Sequence, residues 1–106
     1  MSDYVVVLST CPTEISNDLA RSLVKKRLCA CINIIPKVTS FYFWKDEIVE
    51  DSESILMMKT DSSHIESLWH ALKQEHPYEI PEYIVLRVKW GSQDYLDWIS
   101  HSLVGQ

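Results

Sequence analysis

The stretch Cys29–Trp44, CACINIIPKVTSFYFW, decides how this chain folds. Two β-rich runs flank Pro36 and Lys37. Proline donates nothing to a strand ladder and sits in sheets at edges or bulges, so the stretch reads as one unusually long strand with a bulge or bend at its middle. Polar residues from Lys45 to Glu47 make a turn, and Ile48–Thr60 returns as a second long strand, most densely apolar at Ile55, Leu56, Met57 and Met58. The pair predicts a projecting hairpin.

Working outward on the N-terminal side, Tyr4–Ser9 (YVVVLS) predicts a first strand, closed by the breaker Cys11-Pro12-Thr13. From Thr13 to Arg27 the apolar residues Ile15, Leu19, Ala20, Leu23 and Val24 recur at helical spacing, with Thr13 as the expected N-cap. Lys25, Lys26 and Arg27 close that helix, where cations favour the negative end of the macrodipole. On the C-terminal side, Ser62 or Ser63 caps a second helix running to His76, with Ile65, Leu68, Trp69 and Leu72 along one face. Pro77 and Pro81 bracket a stiff loop, Tyr83–Trp90 supplies a fourth strand, and Gln93–Leu103 forms a terminal helix. Trp69 and Trp98 fall at core spacing, whereas His64 and His70 read as exposed helix residues.

The order βαββαβ plus a final helix, with right-handed crossovers, predicts an α+β ferredoxin-like sandwich: a four-stranded antiparallel sheet with both main helices on one face. The strands do not alternate cleanly, since Val5, Val6, Val7 and Leu8 are consecutive, as are Ile55 to Met58. Both faces of the sheet therefore seek burial. The face without helices is expected to meet another subunit in a closed homodimer or homotrimer.

Composition bounds the function. The 106 residues (1–106) fit one domain, and 46% apolar content suffices for one core. A net charge of −5 argues against nucleic acid as a partner, because such proteins gather Lys and Arg on one face. No stretch is long and apolar enough to span a membrane, and Met1–Tyr4 lacks the basic start of a signal peptide, so the cytoplasm is the expected location. Three cysteines, Cys11, Cys29 and Cys31, predict reduced thiols rather than a disulfide framework. Cys11, beside a helix N-terminus, is expected to have a lowered pKa and to be the most reactive of them. Cys29 and Cys31, two apart on a strand, share a face that suits either small buried hydrophobes or a soft ion such as Cu(I).

Several blocks taken together resemble the CutA family of divalent-cation tolerance proteins. They are Lys26–Pro36 (KRLCACINIIP), Thr39-Ser40, Tyr42–Trp44, Glu50–Glu53 (EDSE), Lys59-Thr60 and, above all, His76–Glu82 (HPYEIPE). The resemblance implies a tight homotrimer with a long hairpin reaching neighbouring subunits, a likeness to PII signalling proteins, and a link to copper and other divalent ions without a defining catalysed reaction. It also places Trp44, Lys59, Tyr78 and Glu82 around a cleft near a subunit boundary, where a small ligand would bind. Where some family members have a cysteine at the end of the first strand, this chain has Ser9, with Cys11 two residues later.

For metal, His76 and Glu82 on a loop stiffened by two prolines offer imidazole and carboxylate chemistry that suits Cu2+ or Zn2+, with Cys11, Glu79 or a neighbouring subunit as the third ligand. The competing reading has His76 satisfying the end of the second helix and ordering the loop. Enzymatic alternatives fare poorly. Phosphate chemistry on this fold wants an Arg and a glycine-rich cradle after the first strand, and Thr10–Glu14 supplies neither. The sequence thus points to a divalent-ion-binding homotrimer, or to a PII-like trimeric scaffold that engages a small ligand or an unidentified protein.

Overall fold

The computed structural model describes residues 3–104. Strand β1 (Tyr4–Cys11) is followed by helix α1 (Thr13–Lys25), strands β2 (Cys31–Trp44) and β3 (Glu47–Asp61), helix α2 (Ile65–Glu75), strand β4 (Ile84–Arg87) and helix α3 (Gln93–Val104). The sheet order is β2-β3-β1-β4, antiparallel throughout, which is the expected α+β ferredoxin-like topology.

Alternation along β1 assigns the two faces. Val5, Val7, Ser9 and Cys11 are buried, while Tyr4, Val6, Leu8 and Thr10 are half-buried. The buried set packs with Leu56 and Met58 of β3 under Leu19 and Leu23 of α1 and Leu68 and Leu72 of α2. The opposite face is not wholly bare. Tyr4 Oη lies 2.6 Å from Ser100 Oγ, and α3 packs against β3 with Ile99 and Leu103 buried. Ile35, Ile84 and Leu86 remain 43–49% exposed on that face, so α3 covers one end of it and leaves the rest open.

The long hairpin forms as expected. The β2–β3 register slips between Ile35 and Val38, the site of Pro36 and Lys37, and Lys37 takes a left-handed φ of 58°. The extra residue there bends β2, so the hairpin departs from the body of the sheet. Its turn uses φ 52° at Lys45 and 67° at Asp46, the two positive values a two-residue hairpin turn of the right twist requires.

Several boundaries differ from the sequence reading. Pro12, not Thr13, occupies the N-cap position of α1, because the Thr13 hydroxyl is taken by Ser54 Oγ at 3.0 Å. Helix α1 stops at Lys25 in a C-terminal motif where Arg27 N–H donates to Val24 O and Leu28 N–H to Leu23 O, with Arg27 at φ 61°. A 3-10 turn, Ser62–His64, precedes α2, and Ser63 bonds the Asp61 carboxylate instead of capping the helix. Strand β4 covers four residues, not Tyr83–Trp90, because only Val5–Leu8 of β1 pair with it.

Candidate functional site

Beyond Leu8, β1 runs past its last pairing with β4, and the 76–82 loop is fastened to the projecting end. Ser9 Oγ donates to the Glu82 carbonyl at 2.7 Å. His76 Nε2 lies 2.6 Å from the Thr10 carbonyl, and its Nδ1 accepts the Tyr78 backbone N–H at 3.1 Å. A carbonyl only accepts, so Nε2 carries the proton and donates, and the tautomer is fixed by the two bonds. His76 is 8% exposed. Both of its ring nitrogens are therefore committed to holding the loop on the strand.

The loop in turn presents Tyr78 to the hairpin. Tyr78 Oη donates to Glu53 Oε1 at 2.9 Å, and Glu53 is only 5% exposed. Burial, then the hydrogen bond to Glu53 and the surrounding negative charge, push the Tyr78 phenol well up, so it stays a neutral donor. Farther along the hairpin, Tyr42 Oη donates to Asp51 Oδ2 at 3.2 Å. Between hairpin and loop lies a cleft of about 780 Å³, whose lining includes Thr10, Tyr42, Trp44, Glu53, Tyr78 and Glu82.

The expected site residues separate into three places. Trp44, Tyr78 and Glu82 meet in this cleft. His76 sits behind it as the anchor of the loop. Lys59 lies elsewhere: it pairs with Val6, whereas Thr10 of the cleft pairs with Ile55, which places Lys59 about 13 Å along the sheet. There its Nζ donates to Asn33 Oδ1.

Cys11 corrects an expectation. It is fully buried, and burial together with the charge of Glu53 raises its thiol pKa to about 11, the reverse of activation by a helix N-terminus. To ligate an ion it would have to leave the core. Cys29 precedes β2 and is buried with the helix-side core, while Cys31 pairs with Lys59 on the opposite face, so the two do not share a face. Burial, then the neighbouring Cys31, raises Cys29 to about 12. Among the described residues no group of three or more His, Cys, Asp or Glu side chains is placed to hold a metal ion. No helix among them is long and apolar enough to cross a membrane.

Sequence reasoning missed Glu53 as the floor of the cleft and Ser9 as a fastener of the loop. Glu53 stands in the polar run Glu50–Glu53, which in isolation describes a solvated hairpin, and only the loop brought over it from residues 76–82 buries it.

Comparison with known proteins adds the following. The model of the CutA1 divalent ion tolerance protein family matches residues 5–102. The divalent-cation tolerance protein CutA of Pectobacterium atrosepticum is 41% identical over 104 residues, covering 97% of this chain and 94% of that one. Protein CutA of Mus musculus is 47% identical over 91 residues, 85% of this chain but 51% of its own, so the chain spans about half the length of that relative. Among solved structures, the PII-like protein CutA from Nostoc sp. PCC 7120, in apo form, superposes with a TM-score of 0.88 at 34% identity, covering 97% of each chain.

Proposed function

Since the chain belongs to the CutA1 divalent ion tolerance family, we propose that it acts in divalent-ion tolerance as a PII-like homotrimer that reports occupancy of the cleft between hairpin and loop. In this reading residues 1–106 are one domain that works by binding, not by catalysis. The observation that carries it is the cleft: about 780 Å³, within the size of small-ligand sites, on a loop fixed by Ser9 and His76. The trimer is supported by apolar side chains that one chain leaves in water. Phe43 and Ile48 of the hairpin are 69–74% exposed, and Ile84 and Leu86 of the open sheet face are half-exposed. Free cysteines support a cytoplasmic location, and recovery of the protein in an exported fraction would overturn that part.

A second reading is direct binding of Cu2+ or Zn2+ by His76, Glu82 and Cys11. It is favoured by one feature, that β1 and the 76–82 loop bring these three residues to one end of the sheet. It requires His76 to release Thr10 or Tyr78, and Cys11 to become exposed.

Native mass spectrometry of the reduced protein, with and without stoichiometric copper and zinc, separates the two. The first reading expects a trimer whose ion uptake is unchanged in His76→Ala and Cys11→Ser. One ion per subunit, lost on His76→Ala and retained in Glu53→Gln, would establish the second. A monomer would remove the trimer and with it the PII-like reading.

A further inference from the structure

We propose that the ligand of this cleft is a small organic cation, an amine or quaternary ammonium compound; the assignment rests on the reading of the cleft as a ligand site. Three features of the lining carry it. First, charge: Glu53, Glu79 and Glu82 line the cleft, and no Lys, Arg or His is among its lining residues. From the described residues of this chain a phosphorylated or carboxylated ligand would meet three carboxylates and no Lys, Arg or His, whereas an ammonium group would be drawn in, helped by the chain's net charge of −5.

Second, Glu53 is built as a receptor rather than as a solvated charge. It is 95% buried by its 5% exposure, and Tyr78 fixes Oε1. Among the described residues Oε2 has no hydrogen-bond donor. A largely buried carboxylate with one oxygen held by Tyr78 and the other not sealed from the cleft gains from a cationic N–H donor there, since charge-assisted hydrogen bonds are about twice as strong as neutral ones. Third, the walls are aromatic. Phe41, Tyr42, Trp44 and Tyr78 line the same volume. Aromatic faces attract cations, quaternary ammonium groups included, and repel anions.

The volume argues against a bare metal ion as the sole occupant. About 780 Å³ is far more than a hydrated ion needs and suits a molecule of drug-like size. The same carboxylates also attract divalent ions, so such an ion would compete with the organic cation, which gives the cleft a direct means of sensing the ion level.

The test is a titration of the trimer followed by tryptophan fluorescence and calorimetry, with three probes of similar shape: benzylammonium, ethylbenzene and phenylacetate. The expected result is saturable binding of the ammonium probe alone, weakened roughly 10-fold or more by Glu53→Gln, as for loss of a hydrogen bond to a charge. Trp44→Leu, at a half-exposed position of the hairpin, should weaken the same probe several-fold while leaving the fold intact, and zinc should compete with it. Equal binding of the neutral or anionic probe, abolished by Trp44→Leu, would overturn the cationic assignment and leave the ligand cleft standing. Binding of no probe would overturn both. Ammonium binding indifferent to Glu53→Gln and Trp44→Leu would place it elsewhere and overturn the assignment.

Discussion

The sandwich body and the hairpin arm are made from the same two strands, yet they reach opposite solutions to burial. In the body, Leu56 and Met58 of β3 are fully buried between β1 and the helices. Past the bulge, β2 and β3 go on for seven paired residues, from Val38↔Glu53 to Trp44↔Glu47, and among the described residues the 76–82 loop lies beside the root of this arm. Phe43 at 74% exposure and Leu56 at 0% are both strand residues of one hairpin. The difference teaches that strand propensity and register set the shape of the arm, whereas its apolar residues stay exposed in the single chain, as the proposed trimer would use them. An isolated two-stranded ribbon is at best marginal in water, so an arm of this length implies support from neighbours.

The sharpest way to test this contrast is to delete comparable side chains in the two regions. Leu56→Ala removes a fully buried side chain and should cost about 3 kcal/mol, read as a lower urea midpoint at fixed protein concentration. Phe43→Ser in the arm should leave the circular dichroism of the body unchanged and instead raise the concentration needed for the assembly to form. Burial of one such side chain at an interface is worth roughly 2 kcal/mol, about a 30-fold change in the dissociation constant, measurable by sedimentation. An assembly indifferent to Phe43→Ser would mean that the arm is free, and the contrast between the regions would lose its explanation.

The sequence told unequal amounts about the two regions, and for physical reasons. The body was legible because burial by helices imposes a period: Ile65, Leu68 and Leu72 mark α2, and the run Val5–Leu8 announced a sheet with apolar residues on both faces. Pro36 marked the bulge because it has no N–H to give the ladder. The limits of β4 were not legible, since Tyr83–Trp90 keeps its β-rich character past Arg87, and only the pairing with Val5–Leu8 decides where the strand stops. At the site, Trp44, Tyr78 and Glu82 were found by resemblance, and they do converge. What failed was Cys11. Its position next to α1 suggested an activated thiol, but β1 extends to Cys11 and turns its side chain inward, so burial outweighs the helix end. Glu53 escaped notice because its burial depends on a contact with Tyr78, 25 residues away, which no local pattern records.

The smallest expected effect compares one carboxylate from each region. Glu53, at the root of the arm, has a single neutral side-chain donor, Tyr78, whereas Asp61, at the far end of β3, has two partners within the body: Ser63 Oγ donates to its Oδ1 at 2.7 Å, and His64 Nδ1 lies 2.7 Å from the same oxygen. Burial alone would raise the Asp61 pKa, but the hydrogen bonds from His64 and Ser63 outweigh it and hold the group below its ordinary 3.8. The sign of the pH effect follows. A carboxylate that is more acidic when folded contributes stability that is fully present above its unfolded pKa and is lost as pH falls through the folded value. Asp61→Asn should therefore be less stable than the parent by about 1 kcal/mol near neutral pH, the scale of a partly exposed ion pair, and the gap should narrow steadily below pH 4. Urea midpoints of the two proteins at neutral pH and in acid test this. A gap that persists unchanged in acid would mean that Asp61 acts through packing rather than charge, and that the two ends of β3 differ less in their electrostatics than their hydrogen bonds imply.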